Sequence, residues 1–376
     1  MTRRKEVPQS LIGQLVENLG LTSILAIGVS TYDKLHDLPG VSFDLDSIED
    51  IFKNNKDTSL YKDNKLIMLE NPNSAEFRRV ITDYSFDRSA RGDILIFYFS
   101  GHGAVLSDGS FAFCLSDTVL GYEGNGVLPI SVVRFNDVAV TLASVDVHPV
   151  FIIDACFGGL TAPRGYANIE STMQAEINSI APESYVLLAA ASPMSSAIDT
   201  PSGGGFTQAL NKVVIEGLTD EEGRQFPFLS IDQLVKPLQD ELVKAGLPLP
   251  KSHIGRYFPL FAFSRNPKFK PDTESFTPYM KRIVEHLWNA GKPKQIQIAE
   301  LGKDLGYTEY ANHRKLSLKP WQLLEDGDAP KTRKLSARGI RFAKGELSIP
   351  KVIIRDPITW EWVPAPGSNR VDISSV

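Results

Sequence analysis

Cysteine is scarce in this chain of 376 residues, which carries only Cys114 and Cys156. Two thiols cannot build a disulfide framework, and neither stands with other Cys or His residues at zinc-site spacing, so a stapled scaffold and a structural zinc module are both excluded. Long apolar runs are also missing. None approaches the ~20 residues of a membrane-spanning helix. The basic N-terminus, MTRRKEVPQSLIGQLVENLG, spaces its apolar residues as on a helix face and does not gather them into the core of a secretory signal. The sequence has no internal repeat, no low-complexity tract and no EF-hand loop or comparable acidic ligand series. These absences predict a cytoplasmic protein with no membrane partner.

What is present is an ordinary globular composition, 42% hydrophobic and 23% charged. The net charge of −5 is unevenly spread. Residues 1–264 hold 20 Lys and Arg against 32 Asp and Glu, a balance of −12; residues 265–376 hold 20 against 13, a balance of +7. An acidic body with a basic C-terminal segment predicts two units with different partners.

The order of apolar runs and helical patterns is the main structural signal. SILAIGVS, KLIMLE, DILIFYFS, HPVFIIDAC, SYVLLAAAS and YFPLFAFS read as strands, the last closing the set, and FAFCLSD as a short hairpin strand. Between them DLDSIEDIFKNN, SAEFRRVITDYSFD, VVRFNDVAVTLASV, GGFTQALNKVVIEG and IDQLVKPLQDELVKAG have helical spacing; Asp44 reads as a cap, and Pro237 interrupts the last without necessarily ending it. Continuous apolar strands separated by helices predict a mostly parallel sheet covered on both faces. The expected organisation is an N-terminal helical extension over 1–20, an α/β domain over 21–264, a Pro- and charge-rich linker over 265–278 and a small basic α+β domain over 279–376. In the last, MKRIVEHLW, IAELGKDLGY and part of TRKLSARGIRFAKGELSIP read as helices and VIIRDPITWEWVP as two short strands, an order like that of a winged helix.

Two of the strands end in reactive residues among glycines: ILIFYFS runs into Gly101-His102-Gly103, and HPVFIID runs into Ala155-Cys156-Phe157-Gly158-Gly159. Ligands bind beyond the carboxyl ends of such strands. Glycines there clear room for a substrate backbone. Cys156 is the expected nucleophile on a carbonyl carbon, and His102 the base or acid that serves it. The backbone N–H groups of Gly103 and Cys156 are the expected oxyanion donors. Taken singly, His102 could be a strand-end histidine satisfied by backbone and Cys156 a buried thiol. Cys114 reads as core. Asp33 and Asp44, which flank the loop after the first strand, could reach the site mouth, but turn and cap roles are their plainer reading; His36, His148, His253, His286 and His313 stand without partners at ligand spacing.

YFSGHG, followed 54 positions after its histidine by the cysteine of FIIDACFGG, resembles the His-Gly and Asp-x-Cys-x-Gly-Gly signatures of the caspase-like cysteine peptidases, the group of caspases, metacaspases, paracaspases and their bacterial relatives. AIGVSTYDKLHDLPGVSFDLDSIEDIF, SYVLLAAASPMSSA, GGFTQAL and YFPLFAFS resemble further elements of that fold, so the likeness spans about residues 21–264. The resemblance implies a three-layer α/β/α sandwich, a His102/Cys156 dyad, endopeptidase activity on protein substrates and no cofactor. It places Asp154 in the pocket for the residue before the scissile bond, where a carboxylate selects Arg or Lys. One departure is that 191–196, where metacaspases supply a second pocket carboxylate, has none before Asp199. The loop after Cys156 contains Arg164, an expected self-cleavage site whose plainer reading is an ordinary surface loop.

The basic domain could bind nucleic acid through clustered Lys and Arg, or a protein partner, since its cations are interleaved with acids. Its fusion to a peptidase resembles conditional effectors of stress or phage defence. A non-enzymatic regulator that uses the same scaffold for docking is the competing class.

Overall fold

The computed structural model describes residues 21–376 except 62–65, 88–92, 123–125, 146, 157–184, 191–202, 220–226, 256–260, 290–295, 298–311, 318–319, 357–360 and 375–376. The described chain divides into two compact units at Phe269/Lys270. The segment read as a helix over 1–20 lies outside the described residues, as does Arg164.

In the first unit the strands are β1 (Thr22–Gly28), β2 (Leu66–Glu70), β3 (Ile94–Val105), β4 (Phe111–Phe113), β5 (Val133–Arg134), β6 (His148–Cys156), β7 (Val186–Ala189), β8 (Phe228–Leu229), β9 (Lys251–Ile254) and β10 (Ser264–Arg265). The main sheet runs β2-β1-β3-β6-β7-β9, parallel until the antiparallel edge strand β9. Its helices are α1 (Val41–Glu49), α2 (Ser74–Asp87), α3 (Phe135–Ser144), α4 (Gly205–Glu216) and α5 (Ile231–Lys244). Side chains alternate across a strand. Leu95, Phe97 and Phe99 of β3 therefore enter one core with Phe77 of α2 and Phe135 of α3, while Ile94, Ile96 and Tyr98 enter the other with Ile48 of α1, Leu210 of α4 and Leu234 of α5. This is the expected α/β/α sandwich with a mixed, mostly parallel sheet.

Several local expectations are corrected. The strand read as stopping at Ser100 continues to Val105, leaving the main sheet to pair with β4 after the Gly-His-Gly. His102 therefore lies within a strand and not in an exposed loop beyond it, and is 5% exposed. YFPLFAFS does not close the sheet within its described part: Phe261, Ala262 and Phe263 are buried but irregular, and Ser264 pairs with β8. The closing strand is KSHI, whose alternation is too short and too polar to stand out. Pro237 sits inside α5 without ending it. Asp44 is not a cap but lies in the first turn of α1, which passes into a turn of π-helix over Asp50–Asn54.

The second unit, residues 270–376, carries α6 (Pro278–Asn289), α7 (Asn312–Lys315) and α8 (Ala337–Ala343) with β11 (Thr273–Ser275), β12 (Ile296–Gln297), β13 (Leu324–Asp326), β14 (Thr332–Leu335), β15 (Ile349–Pro350), β16 (Val352–Arg355), β17 (Trp362–Pro364) and β18 (Arg370–Val371). They form three small antiparallel sheets, β11-β16-β17, β12-β14-β13 and β15-β18. Trp321, Phe276, Met280 and Phe342 make its separate core, and Trp321 Nε1 donates to the Pro350 carbonyl at 2.9 Å. The first and third expected helices and both expected strands have counterparts here; IAELGKDLGY lies outside the described residues. No described helix is long and apolar enough to cross a membrane.

Candidate active site

The central strands β3 and β6 pair in parallel from Ile94↔His148 to His102↔Cys156, so the two expected catalytic residues share the last rung of the ladder. Adjacent strands lie about 4.8 Å apart. A separation of 54 residues in sequence is thereby reduced to neighbouring backbones at the carboxyl end of the sheet.

The loop after β1 fixes the histidine. Leu38 N donates to Ser30 O at 2.8 Å and Tyr32 N to Asp37 Oδ1 at 2.9 Å, while Asn71 Oδ1 accepts from Ser30 N and Thr31 N. So held, Tyr32 Oη accepts the backbone N–H of His102 at 2.8 Å, and its ring centroid lies 4.8 Å from the imidazole. His102 Nε2 contacts the His36 carbonyl at 2.8 Å. A carbonyl only accepts, so Nε2 carries a proton and Nδ1 is the basic nitrogen of the neutral ring. Gly101 has φ 155°, and a Cβ there would stand 2.9 Å from Tyr32 Oη and 3.2 Å from the Phe99 ring. Only glycine lets the phenol reach the next residue's N–H.

The direction of the Gly103 N–H follows from strand alternation. Ser100 O accepts from Val29 N and His102 N donates to Tyr32, both on the β1 side; His102 O accepts from Cys114 N of the hairpin. Successive residues present their backbone groups to opposite sides. The N–H of Gly103 therefore turns to the β6 side, where Cys156 ends its strand.

Asp154 pairs with Ser100 in the same ladder and is 5% exposed. Its Oδ2 accepts from Thr207 N at 3.1 Å and Thr207 Oγ1 at 2.6 Å, at the start of α4. Asp44, 2% exposed, accepts from Ser100 Oγ at 2.8 Å and from Gly204 N at 2.7 Å. Both carboxylates converge on one spot: a Cβ on Gly204 would lie 2.7 Å from Asp154 Oδ2 and 3.0 Å from Asp44 Oδ2. The N-terminus of α4 favours negative charge there. Beneath them Tyr98 Oη bonds Thr207 Oγ1 at 2.7 Å; burial first, then the charges of Asp44 and Asp154, push its phenol well above the usual range.

Sequence reasoning allowed Asp44 a place at the site mouth but preferred a cap or turn role, gave Tyr32 no part, and assigned His36 no role. Asp44 did carry a signal, since it shares the apolar stripe of Val41, Leu45 and Ile48, where a carboxylate must find partners. His36 contributes a carbonyl, which no side-chain pattern reveals; its side chain is exposed, as is Asp33. Cys114 is fully buried in the apolar core, and burial pushes its thiol up out of the reactive range. No group of three or more His, Cys, Asp or Glu residues is placed to hold a metal ion among the described residues.

The class these features define is an α/β sandwich with its candidate site at the carboxyl ends of two central parallel strands. The sequence matches the caspase domain family over residues 23–269, and the chain belongs to that family of cysteine peptidases, which act on protein substrates. Among solved structures, it is similar to caspase-1 from Spodoptera frugiperda at 16% identity, covering 62% of this chain and 86% of that one with a TM-score of 0.40. It is also similar to the pro-form, pro-sf-caspase-1, at 15% identity, covering 64% and 94% with a TM-score of 0.42. No curated protein matches the sequence.

Proposed function

We propose that this protein is a cysteine endopeptidase that cleaves after Arg or Lys, with Cys156 as nucleophile and His102 as its acid–base partner. The observation that carries the reading is the pairing of these two residues on the last rung between β3 and β6. The imidazole, with Nε2 engaged by the His36 carbonyl, takes the thiol proton at Nδ1. The thiolate then attacks the scissile carbonyl carbon, and the N–H groups of Gly103 and Cys156 hold the oxyanion. The imidazolium returns its proton to the leaving amine, and water hydrolyses the acyl-enzyme.

Selection of a basic residue rests on Asp154 together with Asp44. The second carboxylate, absent from 191–196, is supplied here from α1. Two buried carboxylates facing one position favour a cation over an anion or a neutral side chain. A peptidase of this selectivity has a candidate self-cleavage site at Arg164. The basic C-terminal unit, read as a winged-helix-like module, recruits or restrains the peptidase through a protein or nucleic-acid partner, in keeping with a conditional effector in stress or phage defence.

The test is turnover of fluorogenic peptides ending in Arg, Lys, Asp or Leu by the full chain and by Cys156→Ala. Cleavage after Arg or Lys that vanishes in the variant supports the reading. Equal turnover by the variant, or a preference for Asp, refutes it.

A further inference from the structure

Single apolar side chains on a protein surface are ordinary, but a concentration of them marks a contact. Four of the eleven large apolar side chains exposed among the described residues lie in 119–130, within the connection between β4 and β5: Val119 and Leu128 at 38% and 40%, Tyr122 and Ile130 at 86% and 88%. The segment folds as a hairpin, with Leu128 N donating to Val119 O at 2.8 Å, Gly121 N to Gly126 O at 2.9 Å and a bridge between Leu120 and Val127. Val127 turns inward and is buried, so alternation puts Val119 and Leu128 on the outer face. Between Asp117 and Arg134 the sequence has one charged residue, Glu123.

The hairpin is fixed at its base beside the candidate active site. Cys114 N donates to His102 O at 3.0 Å, so the chain enters the hairpin directly from the backbone of the histidine. Ser116 O then accepts from Asp33 N at 2.9 Å, Ser116 N donates to Pro72 O at 3.2 Å, and Asp117 Oδ1 takes the N–H and hydroxyl of Ser74, both at 2.8 Å. At the other foot Arg78 Nη2 donates to Val132 O at 2.9 Å. Both feet therefore stand on the loop after β1 and on the start of α2, at the β2–β1 end of the order β2-β1-β3-β6. Counting across the sheet from Cys156 on β6, the hairpin lies past His102.

We propose that this hairpin docks an apolar segment of the protein substrate about four to six residues after the scissile bond. The inference rests on the peptidase reading. There His102 returns its proton to the leaving amine, so the C-terminal half of the substrate departs on the histidine side of Cys156, toward β1 and β2. Three strand spacings of about 4.8 Å separate β6 from β2, and an extended chain covers them in about four residues at roughly 3.4 Å each. An uncharged apolar face selects an apolar segment there, separately from the basic residue selected by Asp44 and Asp154. Four partly exposed side chains fall well short of the ~800 Å² per partner of a stable protein interface, which suits a peptide segment better than a second copy of the chain.

The experiment uses the full chain and two quenched peptides that share one Arg and differ at the fourth to sixth positions after it, Leu-Ile-Leu in one and Ser-Gly-Ser in the other. The expected result is a KM about tenfold lower for the apolar peptide at similar kcat, as for a contact made equally in the ground and transition states. Ile130→Asp and Tyr122→Ser, at exposed positions, should each remove most of that difference. Both should leave turnover of a short Arg substrate with nothing beyond its leaving group unchanged. Moving the apolar residues to the other side of the Arg should also remove the advantage. Equal kcat/KM for the two peptides, or an advantage that survives both substitutions, overturns the docking site and leaves the peptidase reading in place. Failure to turn over any of the Arg substrates defeats that reading and the docking site with it. A dimer in sedimentation that Ile130→Asp dissociates assigns the face to a second copy and likewise overturns the proposal.

Discussion

His102 and Cys156 are backbone register partners on the final rung of the β3–β6 ladder, at the carboxyl end of the two central strands of the sheet. The strands fix the backbones, and the imidazole is fixed separately by the His36 carbonyl and the Tyr32 ring. Replacing His102 with Gln should lower kcat for an Arg-ending peptide by at least about 10³-fold with little change in KM, because it removes an interaction made in the transition state. Steady-state kinetics checks this. A variant that loses only KM would contradict it.

Tyr32 touches no reacting atom in this account; it positions His102. Tyr32→Phe leaves the buried His102 N–H without its acceptor, at a cost of about 1–3 kcal/mol. We expect a lower melting temperature and a kcat reduced roughly tenfold with KM unchanged. A shift in the pH profile of kcat/KM separates this role from a purely structural one, which would leave the profile in place.

The carboxylate pair predicts a selectivity change. Asp44→Asn and Asp154→Asn should each lower kcat/KM for Arg and Lys peptides about 10²-fold, the scale of losing one partner of a buried charged pair. Turnover of a Leu peptide should change little. Gly204→Ala should act in the same direction, because its new methyl group would meet both carboxylates, and should also destabilise the protein by roughly 1–3 kcal/mol. Unaltered Arg-to-Leu ratios in both Asn variants would remove the pocket assignment.

Stability at alkaline pH follows from the buried acids on either side of the sheet. Cys114 and Tyr98 both have native pKa values raised by burial, so the native state holds their protons after the unfolded chain has released them. Their contribution is complete below the unfolded pKa values, about 8.5 and 10. Above those values the unfolded chain binds fewer protons, and stability falls by about 1.4 kcal/mol per pH unit for each group until its native pKa is reached. Denaturant unfolding between pH 8 and 10 should therefore show a decline that Cys114→Ala lessens. An identical slope in the variant would contradict it.

Much of this was legible in the sequence. The unbroken apolar runs of β1, β3 and β6 announce strands buried on both faces, and His102 between glycines and Cys156 ahead of Gly158-Gly159 follow two such runs, which the sheet places side by side. The misses share a cause: they are decided by tertiary contact. β3 continues past Ser100 because Phe111–Phe113 offers it a partner, and KSHI is a strand only because β7 is beside it. Asp44 looked like a cap because Asp is common there, whereas its partners Ser100 and Gly204 are 56 and 160 residues away. The His36 carbonyl leaves no mark in a one-letter pattern.

The central claim is that Cys156 is the nucleophile served by His102. Its most direct test is to treat the full chain with an electrophilic peptide ending in Arg and locate the adduct by mass spectrometry. The account predicts one adduct on Cys156, none on Cys114, and labelling slowed at least about 10²-fold by His102→Gln. A protein that stays unlabelled, or one labelled at the same rate without His102, would contradict it.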